Sequence, residues 1–212
     1  MKIVSVIPIK LNNERLANKN TKLLGEFPLI EYSQKCLLEV DEIDERYVFC
    51  SDESITKYLL PNIHFLQRDQ ALDLPTANFS QIFESFSSIV QADIYIYAHA
   101  TAPFISADTI KECISAVKSK EFDSAFCAIK IQDFLWSNGN PLNFDGRNIP
   151  RSQDLEPIYR ETSGVYVFNQ KVFHDLHRRV GNCPFIKELD FKESIDINNP
   201  EDFRLAEIML KH

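Results

Sequence analysis

The chain is poor in glycine and has no long apolar run. Its 212 residues include 5 Gly, 10 Pro and 1 Trp, and charged residues make up 25%. These values exclude a collagen-like chain and a disordered low-complexity chain. No apolar stretch approaches the ~20 residues that span a bilayer. The opening run from Lys2 to Ile9 is too short for the apolar region of a secretory signal.

Positive charge is also scarce. The chain carries 23 Lys and Arg against 31 Asp and Glu, a formal net charge of -8. Such a protein has no overall attraction to nucleic acid or to an anionic membrane, so an anionic ligand must be held by a local basic cluster. Five cysteines occur without a C-x-x-C pair, which indicates reduced thiols in a cytoplasmic protein more than metal or redox chemistry. They are Cys36, Cys50, Cys113, Cys127 and Cys183.

The apolar pattern predicts strands alternating with helices. Residues Ile3 to Ile9 are typical of a strand buried on both faces, and Leu29 to Leu38 follow Pro28 as a helix. Further strands are predicted at 47–50, 63–66, 94–98, 123–131 and 164–168, and further helices at 79–90, 107–119, 171–179 and 200–210. This alternation predicts a three-layer α/β/α domain with a mostly parallel sheet.

One segment departs from this alternation. Residues 132–162 contain turn signals at short intervals, among them Asn138-Gly139 and Asp145-Gly146. We interpret them as an insertion within a single domain that covers 1–212. Ligands of mostly parallel sheets bind at the carboxyl ends of the strands. The loops after Ile9, Cys50, Ala98 and Ile131 are therefore the first places to search for a site.

The loop after the first predicted strand is basic. It places Lys10, Arg15 and Lys19 within ten residues of an otherwise acidic chain. A triphosphate needs cations and backbone donors that converge on it, and a loop at the end of a strand presents both. Charge alone leaves a solvated loop as the alternative. The sequence has neither G-x-G-x-x-G nor G-x-x-x-x-G-K-[ST], so dinucleotide and P-loop sites lose their main support.

The same loop resembles the opening signature of the acylneuraminate cytidylyltransferases, which make CMP-sialic acid and related CMP-nonulosonic acids from CTP. This chain departs from the signature at Lys10, Asn13, Glu14 and Arg15, where the family usually has Arg, Ser, Lys and Gly. The positions that match are Ile7, Pro8, Leu16, Lys19, Asn20, Leu24, Gly25, Pro28, Leu29 and Ile30. The resemblance implies a nucleotide-diphospho-sugar transferase-like, Rossmann-like fold.

Similarity to the family continues along the chain. Arg68 and Asp73 lie in a segment similar to its R-x-x-x-L-x-x-D motif, and 99–104 is similar to its Q-P-T-S-P-[LF], with His99 in place of Gln. Residues 151–155 and 159–164 resemble its segment for the acidic sugar and the dimer contact. The last motif runs from Ser194 to Phe203 and carries the metal-binding Asp of the family at Asp196.

The resemblance assigns a role to each position. Lys19 is expected at the α-phosphate, with Lys10 and Arg15 at the β- and γ-phosphates. The nucleotide-binding positions are Pro8, Asn13, Asn20, Arg68, Asp73, His99 and Thr101. The acceptor-binding positions are Arg151, Gln153, Arg160 and Ser163. Asp196 and Asn198 are expected to hold Mg²⁺ (or Mn²⁺), since alternate residues of a strand face the same way and one carboxylate can suffice.

These roles imply a reaction in which a hydroxyl of an acidic sugar attacks the α-phosphorus of CTP and pyrophosphate leaves. Two alternatives stay open at this stage. A different sugar or a polyol could be the acceptor, and Asn198 in place of an acid could mark a non-catalytic nucleotide-binding relative. A homodimer is expected from the family and from the aromatic insertion around Trp136 and Tyr159. Neither nucleic acid nor a membrane is expected as a partner.

Overall fold

The structure is a computed structural model that describes residues 1–12 and 15–211. Seven strands form one sheet. They are β1 (Ile3–Ile9), β2 (Glu45–Cys50), β3 (His64–Gln67), β4 (Ile94–Ala98), β5 (Ser124–Ile131), β6 (Ile158–Asn169) and β7 (Pro184–Glu188). The α-helices are α1 (Leu29–Leu38), α2 (Phe79–Ser87), α3 (Ala107–Lys118), α4 (Gln170–Leu176) and α5 (Pro200–Leu210).

The sheet is mostly parallel, as predicted. Its strand order is β7-β5-β6-β4-β1-β2-β3. The pairs of β1 with β2 and β4, of β2 with β3, and of β5 with β7 are parallel. Strand β6 runs antiparallel to both β4 and β5. The carboxyl ends of β1, β2 and β4 therefore lie along one edge of the sheet.

Helices cover both faces of the sheet and make the three layers. Along β1, Ile3 and Ile7 belong to an apolar cluster with α1 and α3, whereas Val4 and Val6 belong to a cluster with α2 and α4. Successive strand residues point to opposite faces, so a strand covered on both sides must be apolar throughout. The run from Ile3 to Ile9 is apolar except for the small, buried Ser5, and the prediction of a doubly buried strand is confirmed.

The last helix fixes the end of the chain against the same edge of the sheet. Asn199 and Asp202 form a capping box at the start of α5, and Pro200 occupies its first turn. The helix predicted at 200–210 is therefore confirmed, and it begins with an ordinary N-terminal cap. In a third apolar cluster, Phe203 packs with Ile195 and Ile197. The Ile197 N–H also donates to the Thr101 carbonyl at 2.8 Å, which holds residues 195–198 against the loop after β4.

Several element bounds differ from those predicted. Residues 158–162 are the start of β6, paired with β5 from Ile158 against Ile131, and not the end of the insertion. The start of this strand was not predicted because residues 159–161 are exposed and polar in character, so the sequence shows no alternation of apolar and polar residues there. Helix α4 ends at Leu176 because His177 takes a left-handed conformation with φ 52°, and α2 ends at Ser87. Strand β7 was not predicted.

The remaining insertion, 132–157, carries a short antiparallel pairing of Trp136–Ser137 with Asn140–Pro141. The Trp136 and Phe144 rings pack with their centroids 5.5 Å apart. No helix among the described residues is long and apolar enough to cross a membrane.

Candidate active site

The basic loop after β1 is closed by an asparagine. The buried Asn20 side chain donates from Nδ2 to the Lys10 carbonyl at 3.0 Å. The turn from Lys19 to Thr21 follows Asn18, which is left-handed with φ 52°. Because Asn20 ties the two ends of the loop together, Lys10 and Lys19 are held near each other. Asn13, which is predicted to bind the nucleotide, and Glu14, where the signature departs from the family, lie outside the described residues.

Lys19 is the most enclosed of the three predicted cations. Its ammonium donates to the Ile197 carbonyl at 2.8 Å. Burial lowers the pKa of Lys19, although the negative charge of Asp196 pulls it upward. Lys10 is half-buried and Arg15 is exposed. The structure thus brings Lys19 to the Asp196 segment and leaves Arg15 in solvent.

The larger cavity of the site lies beside Lys10. It measures about 640 Å³. Asp73 reaches it, held by two hydrogen bonds from Arg68 and one from the Ser51 hydroxyl. The Arg68 side chain is 3% exposed and does not line the cavity. It therefore holds Asp73 from the interior of the protein. The residues lining this cavity are Lys10, Leu11, Asn12, Ser51, Asp52, Gln70, Asp73, Leu74 and Pro75.

His99 follows β4 and is neutral at physiological pH. Burial lowers the pKa of His99 to about 4, and the positive charge of Arg179 adds to the effect. Its Nε2 is buried and has no hydrogen-bond partner among the described residues. The backbone N–H of His99 donates to the Gly164 carbonyl at 2.9 Å. An added Cβ on Gly164 would lie 3.0 Å from Ile105, so this glycine permits the close approach of β6.

A smaller cavity of about 330 Å³ contains the predicted metal-binding residues. Asn198 donates from Nδ2 to Oδ2 of Asp196 at 2.9 Å. The other oxygen, Oδ1 of Asp196, is buried and has no partner among the described residues. The two side chains meet in an irregular segment and not in a sheet strand, so strand alternation was the wrong reason for placing them together.

The donor set tests whether a divalent cation fits. Asp202 is engaged as the helix cap, since its carboxylate accepts from the backbone N–H groups of Asn198 and Asn199. Within 1–12 and 15–211, no group of three or more His, Cys, Asp or Glu side chains could hold a metal ion. The unpartnered oxygen of Asp196 can nevertheless supply one carboxylate ligand. Mg²⁺ is commonly held by one or two carboxylates together with waters and substrate phosphates.

The predicted acceptor-binding residues fall into two groups. Arg160 and Ser163 line the smaller cavity together with Asp196. Arg151 is 73% exposed and pairs with Asp154 at 2.7 Å. Gln153 is exposed and lies in the 3-10 turn Ser152–Asp154, which follows Arg151. The structure therefore brings Arg160 and Ser163 to the metal-binding residues and leaves Arg151 and Gln153 on the insertion.

Sequence reasoning missed three residues beside this cavity. The guanidinium carbon of Arg179 lies 3.9 Å from the centroid of the Tyr166 ring, and Arg179 pairs with Glu161 at 3.2 Å. Glu161 itself lines the cavity. Glu161 falls within one of the matched segments, but no motif pointed to Arg179, which follows α4 in an unremarkable polar stretch.

Comparison with known proteins gives a consistent result. The family described as Cytidylyltransferase matches residues 4–207. Pseudaminic acid cytidylyltransferase of Campylobacter jejuni is 26% identical, covering 100% of this chain and 97% of its own length. CMP-N,N'-diacetyllegionaminic acid synthase of Legionella pneumophila is 22% identical, with 100% and 97% covered. N-acylneuraminate cytidylyltransferase of Oncorhynchus mykiss is 21% identical over 97% of this chain and 49% of that protein.

Solved structures agree on the fold. CMP:2-keto-3-deoxy-manno-octonic acid synthetase complexed with CTP superposes with a TM-score of 0.72 at 15% identity, covering 100% of this chain and 99% of that one. The 4-diphosphocytidyl-2C-methyl-D-erythritol synthase of Anaerococcus prevotii gives 0.72 at 13% identity with the same coverage. The Rossmann-like nucleotidyltransferase fold expected from the resemblance is confirmed.

Proposed function

Because the chain belongs to the cytidylyltransferase family, we propose that it transfers CMP from CTP to a sialic-acid-like nonulosonic acid and releases pyrophosphate. One observation carries the proposal. The ammonium of Lys19 lies 2.8 Å from the Ile197 carbonyl, next in sequence to Asp196. The cations for a triphosphate and the carboxylate for a metal therefore meet at one edge of the sheet. Alignment and charge stabilisation are what phosphoryl-group transfer needs most from a protein.

The basic loop binds the triphosphate. Lys19 contacts the α-phosphate, where negative charge builds up during attack. Lys10 and Arg15 contact the β- and γ-phosphates and stabilise the leaving pyrophosphate. Asn20 keeps the loop in shape through its hydrogen bond to the Lys10 carbonyl. The support for this assignment is the position of Lys10 and Lys19 at the carboxyl end of β1.

The nucleoside occupies the larger cavity. Asp73 and Ser51 present fixed polar atoms there, and Arg68 holds Asp73 in place. Pro8 lies near the end of β1 and Thr101 lies in the loop after β4, so both border the same edge. We include His99 and Asn13 in the nucleotide site on the strength of the motif positions.

Asp196 would hold Mg²⁺ (or Mn²⁺) through its unpartnered oxygen, with Asn198 orienting the carboxylate. A bound divalent cation supplies Lewis-acid stabilisation of the phosphate charge. Lys19 stays close to that carboxylate and is held by a backbone carbonyl. The protein side of the step is thus positioning of the α-phosphate by Lys19 and of the acceptor by the smaller cavity.

The acceptor occupies the smaller cavity. Arg160 and Ser163 are its polar contacts there. The relatives matched over nearly their whole length act, by their names, on pseudaminic acid and on N,N'-diacetyllegionaminic acid. Both are acidic sugars of the nonulosonic class, which supports that class for this chain.

A homodimer completes the proposal. The insertion exposes apolar side chains, with Trp136 62% exposed and Leu142 and Ile149 similarly open. Clustered exposed apolar side chains mark contact surfaces. In a dimer, Arg151 and Gln153 would serve the acceptor of the other subunit. A cytoplasmic location is also part of the proposal, and it is supported by five cysteines that are all free thiols.

Pyrophosphate release tests the proposal. Purified protein is incubated with CTP, Mg²⁺ and one acceptor at a time: pseudaminic acid, N,N'-diacetyllegionaminic acid, N-acetylneuraminic acid, 2-keto-3-deoxy-manno-octonic acid or methylerythritol phosphate. We expect release with at least one of the nonulosonic acids, and its loss in Asp196→Ala. Release with methylerythritol phosphate alone would establish a polyol acceptor. Stabilisation by CTP with no release from any acceptor would establish a non-catalytic relative.

A further inference from the structure

Three side chains form a cluster beside the smaller cavity: Glu161, Tyr166 and Arg179. Glu161 lines the cavity. The Tyr166 hydroxyl donates to the Glu161 carboxylate, and Arg179 donates to the same oxygen at 3.2 Å. The Arg179 guanidinium lies over the Tyr166 ring, 3.9 Å from its centroid. The cluster therefore holds the Arg179 cation against Glu161, a residue of the cavity wall.

Arg179 is held in one position, and its contact with Glu161 does not use all of its hydrogen-bond donors. Its side chain is 27% exposed, and it packs on Tyr166 and, at 5.5 Å, on Phe79. A guanidinium has five N–H donors, and the described contact with Glu161 uses one of its nitrogens. A stacked arginine has little conformational freedom left to lose, so a second carboxylate can bind to it at low entropic cost.

His99 links this cluster to the metal-binding residues. The His99 ring lies beside Tyr166, on which Arg179 is stacked. The loop that follows His99 is joined to the Asp196 segment by the hydrogen bond from the Ile197 N–H to the Thr101 carbonyl. The ring packs against Tyr97 and Tyr166, with centroids 5.2 and 6.2 Å away. Its buried Nε2 has no partner among the described residues. Buried polar atoms are almost always paired, so a polar ligand is expected there.

We propose that Arg179 binds the carboxylate of the acceptor sugar. The inference rests on the proposed function, because it takes the acceptor to be an acidic ketosugar. In the ring form of such a sugar, the carboxylate and the reacting hydroxyl are attached to the same carbon. A hydroxyl directed toward Asp196 therefore places its carboxylate a few ångströms away. Asp196 and Glu161 line the same cavity, and Arg179 pairs with Glu161, so the carboxylate can reach the guanidinium there.

The arginines indicated by the motifs are less suited to this role within one subunit. Arg151 is highly exposed and lies on the insertion, outside the residues that line the cavity. Arg160 lines the cavity but is exposed, so its charge is screened by water. Arg179 is the more enclosed cation, and a carboxylate is held most strongly by a desolvated, paired guanidinium.

The test replaces the charge on each side of the contact. Arg179→Met keeps an unbranched side chain over Tyr166 and removes the guanidinium. Arg178→Met is the matched control, since Arg178 is adjacent and exposed. Each protein is assayed with pseudaminic acid, or with whichever acid of the panel the wild type uses best, and with the C1 carboxamide of that sugar. The readouts are kcat/KM for the acceptor and KM for CTP.

We expect the wild type and Arg178→Met to prefer the acid over the carboxamide by about 100-fold, as for loss of one partner of a desolvated charge pair. Arg179→Met should lose most of that preference with KM for CTP unchanged. A preference retained in Arg179→Met would overturn the inference. A higher KM for CTP with the preference intact would assign Arg179 to phosphate instead. If the wild type uses no acid but binds CTP, the proposed function itself fails, which is a separate result.

Discussion

Lys19 and Ile197 are joined by a hydrogen bond of 2.8 Å from the lysine ammonium to the backbone carbonyl. One residue belongs to the loop after β1, and the other to the segment that precedes α5. The contact places the basic loop against Asp196, so a triphosphate and a divalent cation can be bound side by side. Lys19 is the first residue to test.

Lys19→Met removes the cation and keeps much of the side-chain volume. We expect kcat for pyrophosphate release to fall about 100-fold or more, because losing one preorganised charge at the reacting group typically has this effect. Lys22→Met is the control, since Lys22 is exposed in the same turn, and it should retain activity. A kcat for Lys19→Met within about three-fold of the wild type would remove Lys19 from the reaction.

His99 makes stability depend on pH. Burial lowers the pKa of His99 to about 4 in the folded protein, whereas an unfolded chain has a histidine pKa near 6.5. Between these values the unfolded state binds more protons, so stability falls as the pH drops from about 6.5 to about 4. By about pH 4, the free energy of unfolding has fallen by about 3 kcal/mol.

The free energy of urea unfolding, measured across this window, should therefore fall less in His99→Gln than in the wild type. His174→Gln serves as the control, because His174 is exposed on α4. Identical pH profiles for the wild type and His99→Gln would show that His99 is not buried in its neutral form.

The pair of Arg68 and Asp73 should stabilise the fold as well as the larger cavity. Arg68→Met leaves Asp73 without its main partner in a largely buried position, which should lower the free energy of unfolding by about 3 kcal/mol. Lys171→Met breaks an exposed pair with Asp175 and should have no measurable effect. Equal stability of both variants, from urea unfolding, would contradict the buried character of the Arg68 pair.

Gly25 should tolerate no side chain. Its φ is +61°, and an added Cβ would lie 2.3 Å from Cδ2 of Leu210. Gly25→Ala therefore combines backbone strain with displacement of the Leu210 side chain, at about 2–3 kcal/mol. Gly139→Ala is a matched control, since Gly139 has φ +77° and nothing within 4 Å. It should cost about 1 kcal/mol. Thermal unfolding that ranks the two variants the other way would exclude the contact with Leu210.

The proposed dimer depends on the insertion. Trp136→Ser should shift the protein toward monomer in sedimentation equilibrium at micromolar concentration, because it removes the largest exposed apolar side chain there. Ile89→Ser changes another exposed apolar residue, outside the insertion, and should leave the distribution unchanged. A wild type that sediments as a monomer would contradict the dimer.

The sequence predicts the elements whose pattern is local. Strand β1 and helices α1 and α5 have the predicted bounds. The short run of mostly β-branched apolar residues in β1 favours a strand, and Asn199 with Pro200 marks the start of α5 without reference to the rest of the fold. The family motifs then located Lys19, Asn20 and Asp196, which the structure brings to one edge.

What the sequence could not predict depends on distant partners. Strand β7 is short, and its ladder with β5 comes from tertiary pairing. The start of β6 is polar and is a strand because β5 lies beside it. Arg179 belongs to no motif, and its place over Tyr166 follows from how the chain returns after α4. Asp196 and Asn198 meet through a side-chain hydrogen bond in an irregular segment, which no strand periodicity could indicate.

The central claim is that CTP and an acidic sugar react at the edge where Lys19 meets the Asp196 segment. Mass spectrometry of the products from CTP, Mg²⁺ and each nonulosonic acid tests it most directly. We predict a CMP-sugar and an equal amount of pyrophosphate from the wild type, and neither product from Asp196→Ala. Recovery of unchanged CTP with every acidic sugar, from folded protein that binds CTP, would contradict the account.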